Sequence, residues 1–243
     1  MKQWFGSGTD QPFDMFGVSH VIMLAIYLAG LALILLGYKK LKKDQTIYQW
    51  IRWFLFALLI ISEITYQTWA VVNGVWSSKD YLPLHLCGIA SLVAATALWK
   101  PNHTLIKITY FIAVIPALMA LMTPDLPHDY QHYRYWKFFI HHIGISWSGV
   151  LLALVHPVII TWKTTMKAYG LLVIYAILIG FVNQVIGSNY LYLSRTPGKG
   201  TPLDLLGDGF WYYINLGILA FASFWLLYFI YQLFTRCKPS SSL

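Results

Sequence analysis

Apolar residues form seven long runs along the chain, separated by short polar segments. A helix that crosses the hydrocarbon core of a bilayer needs about 20 mainly apolar residues, and the runs have about that length. The pattern predicts an all-α polytopic membrane protein, a seven-transmembrane-helix bundle forming a single domain over residues 1–243. The predicted helices are Gly17–Gly37, Gln49–Val72, Leu82–Trp99, Leu105–Met122, Trp136–Val155, Ala168–Gly187 and Phe210–Phe234.

Composition excludes the main soluble classes. Only 11% of the residues are charged and 58% are hydrophobic, whereas soluble domains carry roughly 25% charged residues. A disordered chain would need low hydrophobicity and high net charge. The two cysteines, Cys87 and Cys237, are too few for a disulfide scaffold, and the predicted topology places them on opposite sides of the membrane, where they cannot pair.

Basic residues predict the orientation of the bundle, because cytoplasmic loops carry an excess of lysine and arginine. One side of the predicted membrane receives most of them: Lys39, Lys40, Lys42, Lys43, Arg52, Lys100, Lys107, Lys163, Lys167, Arg236 and Lys238. This side is predicted to be the cytoplasm, with the N-terminus outside and the C-terminus inside. We therefore expect a multi-pass protein of the cell membrane, most simply a bacterial cytoplasmic membrane. The sequence pI near 9.4 then reflects topology and attraction to anionic lipid, and predicts no nucleic-acid partner.

Polar side chains inside the predicted helices collect in the outer half of the bundle. They are His20, Glu63, Gln67, His85, Cys87, His141, His142, Asn183, Gln184 and Asn215. An ionisable group within a bilayer costs a few kcal/mol unless it has a partner or faces water, so such groups mark functional sites by default. The clustering predicts a polar cavity that opens outward.

Helical spacing indicates which of these side chains share a face. Glu63 and Gln67 are four residues apart and point together. His142 lies on a stripe of small and polar residues, whereas His141 shares a face with bulky apolar ones, which favours His142 as the cavity histidine. Cys87 on its own fits a small packing residue better than a reactive one. The amides fit a structural role as interhelical hydrogen-bonding groups.

Cysteine, histidine and carboxylate at similar depth are the parts of a nucleophile, a base and a group that orients the base. At the depth of lipid ester carbonyls, a natural acyl donor is a phospholipid of the outer leaflet. The sequence contains none of the Gly-x-Ser-x-Gly, His-Glu-x-x-His or phosphate-loop motifs of soluble enzymes.

Three motifs carry a resemblance to a known family. They are Leu82-Pro83-Leu84-His85-Leu86-Cys87, Phe139-Ile140-His141-His142, and Asn189-Tyr190-Leu191-Tyr192-Leu193 followed by Asp204-Leu205-Leu206-Gly207. In order and spacing they resemble the YwaF-like integral membrane family over nearly the whole chain. That family in turn resembles eukaryotic cysteine-dependent transmembrane phospholipid acyltransferases, and more remotely the androgen-induced membrane hydrolases. The resemblance implies Cys87 as the nucleophile and His142 as the assisting histidine.

The leading hypothesis is therefore a membrane acyltransferase or lipid hydrolase that works through a cysteine thioester. Glu63 or Asn183 would orient the base, and Gln67 or Tyr190 would stabilise the oxyanion. Contacts to substrate are expected from His85, His141, Asn189 and Arg195, the last toward a phosphate headgroup. The expected partners are a phospholipid acyl donor and a lysolipid or water acceptor, and the chemistry needs no cofactor or metal.

Two other interpretations remain open. The same polar cavity suits a non-enzymatic transporter or a small-molecule-binding subunit, for which Pro116 inside a predicted helix is weak support. Imidazole and thiolate from His85, His142 and Cys87 also suit zinc, copper or haem. A retinal protein is disfavoured, because the last predicted helix contains no lysine.

Overall fold

The computed structural model describes residues 2–6, 8, 12–196 and 202–236, so Cys237 lies outside the described residues. The described chain forms α-helices, with short 3-10 turns at Tyr190–Tyr192 and Pro202–Leu206, and contains no strand. The α-helices are α1 Lys2–Phe5, α2 Val18–Lys43, α3 Gln45–Val72, α4 Leu86–Trp99, α5 His103–Met122, α6 Tyr133–Val155, α7 Trp162–Ile186 and α8 Gly209–Arg236.

Six of the seven long helices in the described residues are long and apolar enough to cross a membrane. They are α2, α3, α5, α6, α7 and α8, and each coincides with a run predicted from the sequence. The helical, polytopic membrane fold is thus confirmed.

Helix α4 is shorter than predicted, because it begins at Leu86 rather than Leu82. Pro83 disfavours helical backbone in the residue before it and has no N–H to donate. The neighbouring backbone is bound to other elements instead: the Leu82 N–H donates to the Tyr190 hydroxyl at 3.0 Å, and the Tyr175 hydroxyl donates to the Leu84 carbonyl at 2.9 Å. With 14 residues, α4 rises about 21 Å, less than a hydrocarbon core of about 30 Å.

Helix α6 forms the centre of the bundle. It packs against α2, α3, α4 and α5 and is buried along most of its length. Small residues allow the close approach: a Cβ added at Gly149 would lie 3.0 Å from Val114, and Ser146 and Ser148 are fully buried. Helices α7 and α8 pack on each other, and their main helix contacts with the rest of the bundle are to α5. A space is therefore left between this pair and the central helices.

The positive-inside pattern gives a testable orientation. We expect single cysteines introduced at Ser78 or Asp208, in a background without native cysteines, to react with a membrane-impermeant maleimide in intact cells. A cysteine at Lys40, which is exposed at the opposite end of the bundle, should react only after permeabilisation. The reverse labelling pattern would contradict the predicted orientation.

The N-terminal segment is attached to the end of α3 and to the loop that precedes α6. The Trp69 indole N–H donates to the Phe5 carbonyl at 2.8 Å, and His132 Nε2–H donates to the Gly6 carbonyl at 2.8 Å. His132 Nδ1 accepts the backbone N–H of Arg134, which caps α6 and fixes the tautomer of the ring. The ring of His128 stacks on His132 with centroids 3.8 Å apart.

This histidine pair predicts a pH dependence of stability. His128 is buried and neither ring nitrogen has a hydrogen-bond partner; burial, with His132 and Arg134 nearby, lowers its pKa to about 4. Because the unfolded chain takes up this proton near pH 6.5 and the folded chain only near pH 4, stability should fall as the pH drops through that window. We expect the melting temperature in detergent to fall from pH 7 to pH 5, and less steeply in His128→Phe. An equal slope in both proteins would contradict this account.

Candidate active site

A cavity of about 1550 Å³ lies at one end of the bundle and extends between α5, α7 and α8. At its polar end it is lined by several of the residues that the sequence placed in a site: Glu63, His85, Cys87, His141, His142, Asn189 and Arg195. The remaining predicted site residues, Gln67, Asn183 and Tyr190, do not line the cavity. The structure therefore gathers one ionisable cluster from α3, α4 and α6 around a single space.

Cys87 lies in the first turn of α4 and is partly exposed to this cavity. The helix begins there because Tyr81–His85 turns back over it: a Cβ at Gly88 would lie 2.7 Å from the Pro83 carbonyl carbon and oxygen, so a larger residue would displace the segment. The thiol is thus held beside the backbone N–H groups of a helix N-terminus. A helix N-terminus and a lysine that lines the same cavity, Lys137, are the kinds of group that favour a thiolate.

His142 is held in one tautomer by its own helix. Its Nδ1 lies 2.7 Å from the Phe138 carbonyl oxygen. A carbonyl only accepts, so Nδ1 carries the hydrogen, and the neutral ring has its lone pair on Nε2. His141 also lines the cavity, and its Nδ1 pairs with the buried Ser62 hydroxyl at 3.0 Å. No hydrogen bond joins Cys87 to His142 within the described residues.

Glu63 is fixed by Gln67, one helical turn further along α3. The Gln67 amide donates to Glu63 Oε1 at 2.7 Å and to the Tyr81 carbonyl at 2.7 Å. It accepts the Trp76 indole N–H at 2.8 Å. Both the nitrogen and the oxygen of the amide are thus hydrogen-bonded within the protein. Gln67 does not line the cavity but holds Glu63, which does.

Lys137 completes the cluster, and sequence reasoning did not single it out. Its ammonium lies 4.0 Å from Glu63 Oε2, and both side chains are largely buried, at 14% and 17% exposure. It also lies 4.1 Å from the centre of the Tyr66 ring, a cation–π contact. A signal existed in the sequence: Lys137 is one helical turn before His141, so the two share a face of α6.

Asn183 and Tyr190 shape the loop after α7. The Asn183 amide donates to the Tyr190 carbonyl at 2.9 Å, and its oxygen accepts from the Ser188 hydroxyl at 2.6 Å. The Tyr190 hydroxyl donates to the Ser78 carbonyl at 2.8 Å. Asn189 holds Arg195, donating to its carbonyl at 2.9 Å. These bonds tie the loop to the segment before α4 and so form one wall of the cavity.

The same loop presents two side chains to the cavity through unusual backbone. Leu191 and Tyr192 have φ of 58° and 54°, a left-handed conformation that costs non-glycine residues about 1 kcal/mol or more. Both side chains line the cavity. Tyr192 donates to Asp125 at 3.3 Å and its ring lies 5.3 Å from that of His85. The left-handed backbone at Leu191 and Tyr192 thus occurs where the loop contacts Asp125 and His85.

The inner part of the cavity is apolar and reaches the surface of the bundle. It runs along α5, α7 and α8 as far as Phe224, which stacks on Phe111 with ring centroids 5.0 Å apart. Ile177 and Ile218 line the cavity and are also exposed, at 68% and 59%. A space lined on both α7 and α8 by surface residues communicates with the apolar face of the bundle. The cavity is thus amphipathic, polar at one end and accessible to hydrocarbon at the other.

A profile of the TMEM164 family matches residues 15–228, from just before α2 into α8. The chain belongs to the TMEM164 family. This is a family of membrane proteins, in agreement with the multi-pass fold, and every residue that lines the cavity falls within the matched range. No curated protein and no solved structure matches the chain.

The donor set of the site bears on metal binding in this member of the TMEM164 family. Among the described residues, no group of three or more histidine, cysteine or carboxylate side chains is arranged to hold a metal ion. The cluster instead combines a thiol, a neutral imidazole, a carboxylate and an ammonium. These are the groups of nucleophilic and proton-transfer chemistry.

Proposed function

We propose that this protein is a membrane-embedded acyltransferase or lipid hydrolase that acts on phospholipid acyl chains through a thioester on Cys87, with His142 as general base. The observation that carries the proposal is the convergence of Cys87, His142 and Glu63 on one amphipathic cavity. Membership of the TMEM164 family, and the resemblance of the motifs around Cys87 and His142 to YwaF-like proteins, support it further.

The first half-reaction uses the Nε2 lone pair of His142. This nitrogen takes the proton of the Cys87 thiol, and the sulfur attacks the ester carbonyl of the lipid to give a tetrahedral oxyanion. The oxyanion collapses with cleavage of the carbon–oxygen bond, and the imidazolium returns its proton to the departing lysolipid alkoxide. The acyl chain is then held on Cys87 as a thioester.

The second half-reaction consumes the thioester. His142, again neutral, removes a proton from the hydroxyl of a lysolipid or of water, and that oxygen attacks the acyl carbonyl. Collapse of the intermediate breaks the carbon–sulfur bond, and the thiolate regains its proton from the imidazolium. The base is oriented by the Phe138 carbonyl, which accepts from Nδ1 and thereby serves the function that triads assign to a carboxylate.

The shape of the cavity fits a lipid substrate. Its polar end carries Arg195, a cation suited to a phosphate headgroup. Its apolar part, between α5, α7 and α8, suits an acyl chain that enters from the bilayer through the gap marked by Ile177 and Ile218. Glycerol ester carbonyls, at the junction of the two, would lie near Cys87.

Trapping the acyl-enzyme tests the proposal. Protein in nanodiscs containing phosphatidylcholine is incubated, denatured and digested, and the Cys87 peptide is analysed by mass spectrometry. We expect a fatty-acyl adduct on Cys87 that neutral hydroxylamine removes. An unmodified Cys87 in protein that turns over lipid would contradict the thioester mechanism. Retention of a small solute in the cavity, without lipid turnover, would favour the binding or transport alternative.

A further inference from the structure

An ammonium group faces the cavity with none of its hydrogens used by the protein. Among the described residues, no acceptor lies within hydrogen-bond distance of Lys137 Nζ; its contacts are the Glu63 carboxylate at 4.0 Å and the Tyr66 ring at 4.1 Å. Lysine is a three-hydrogen donor that is seldom buried without partners. Its hydrogens are therefore available to a group that enters the cavity.

Lys137 is also placed beside the reactive side chains. It lies one helical turn before His141 and His142 on α6, lines the same cavity as Cys87, and is close enough to the Cys87 sulfur to interact with it electrostatically. Arg134, one turn earlier, is turned toward another partner, with its guanidinium 5.5 Å from the Trp69 ring. Of these two cations of α6, Lys137 is thus the one left to interact with the sulfur.

A chain of contacts from the loop after α3 holds this cation in place. The Trp76 indole N–H fixes the Gln67 amide, and the amide holds Glu63 Oε1, so that Glu63 Oε2 faces Lys137. Tyr66 supports the ammonium from the other side, and its ring lies 5.4 Å from that of Tyr81. The free hydrogens of the ammonium are not needed for this arrangement.

We propose that Lys137 stabilises the negative charge that forms on the Cys87 sulfur and then on the carbonyl oxygen of the substrate, and that Glu63 and Gln67 position it. The part that concerns the substrate oxygen rests on the proposed function. The part that concerns the sulfur rests on the cavity that Lys137 and Cys87 share and on their electrostatic interaction, and it does not need the proposed function. A fixed charge aimed at developing charge is the usual basis of oxyanion stabilisation.

The sulfur part is tested with a small neutral alkylating agent. Iodoacetamide reacts with the thiolate, forming a carbon–sulfur bond and releasing iodide, and needs no enzymatic turnover. The second-order rate constant for Cys87 at pH 7.5 is measured by mass spectrometry in a Cys237→Ser background. An opposite charge beside an ionisable group changes its ionised population by about tenfold or more. We expect such a loss in both Lys137→Met and Lys137→Gln, and a rate within about threefold of the parent in Lys137→Arg.

The matched control is Lys79→Met, which removes an exposed cation from the same cavity. Its alkylation rate should stay within about twofold of the parent. A parent-like rate in a folded Lys137→Gln or Lys137→Met protein, or an equal loss in Lys79→Met, would overturn the proposal. A loss of acyl transfer confined to Cys87→Ala, with alkylation of Cys87 independent of Lys137, would leave the proposed function standing and remove only this inference. Alkylation that depends on Lys137, in a protein without lipid turnover, would support this inference about the sulfur and contradict the proposed function.

Discussion

Cys87→Ala and Cys87→Ser should each abolish acyl exchange between phospholipid and lysophospholipid. Removing the nucleophile of a covalent mechanism costs at least about 1000-fold in turnover. Serine restores size and polarity, but its hydroxyl is a far weaker nucleophile than a thiol, so both variants should fail. The measurement is transfer of a labelled acyl chain by purified protein in nanodiscs.

The control for this pair is Cys237→Ser, which removes the other cysteine and should leave exchange unchanged. Melting temperatures of both Cys87 variants should stay within a few degrees of the parent, because Cys87 is partly exposed and makes no side-chain hydrogen bond to the described residues. Undiminished turnover in either folded variant would end the cysteine mechanism.

His142→Gln should slow the same reaction by about 100-fold to 10,000-fold, the usual contribution of a general base. The loss should lower kcat and leave KM little changed, because the ring transfers protons in the transition state and does not bind the lipid. The Cys87 acyl adduct should form correspondingly more slowly in a single-turnover experiment.

His141→Gln is the informative comparison, since the two histidines are neighbours on α6 and both line the cavity. His141 Nδ1 is engaged by Ser62, and we expect a smaller loss, about tenfold or less. A severe loss in His141→Gln together with near-parental activity in His142→Gln would transfer the role of base to His141.

The helices were predictable from sequence because membrane crossing imposes a length and a composition on each of them. The six membrane-length helices of the described residues coincide with predicted runs. The exception, α4, has a local cause. Hydropathy predicts a helix from Leu82, whereas Pro83 and the bonds to Tyr175 and Tyr190 hold residues 82–85 in a turn outside the helix. Such tertiary bonds carry no signal in a hydropathy pattern.

That exception affects the site directly. On a continuous helix His85 and Cys87 would point about 200° apart. Because His85 lies at the N-cap position, with extended rather than helical backbone, both residues line the cavity. The prediction that the costly polar groups share one space came from bilayer energetics and needed no knowledge of the fold. That prediction did not give the hydrogen-bond partner of each polar group.

The hydrogen-bond partners of the site depend on packing that spacing does not reveal. Asn183 and Gln67 have the chemistry to orient a base or bind an oxyanion, but they hold the loop and Glu63 instead. The His142 ring is oriented by a backbone carbonyl of its own helix. Because every residue has a backbone carbonyl, the sequence gives no sign of which one binds the ring. The spacing of Lys137 to His141 placed the two on one face of α6, but its pairing with Glu63 became visible only in the structure.

The most direct test of the central claim is an experimental structure of the protein in a lipid nanodisc after reaction of Cys87 with a long-chain acyl analogue. The account predicts that the chain lies between α5, α7 and α8, that His142 Nε2 and Lys137 Nζ face the carbonyl carbon and oxygen, and that Glu63 stands behind the lysine. A Cys87 sulfur packed in hydrocarbon, with His142 and Glu63 directed into separate surroundings, would contradict it.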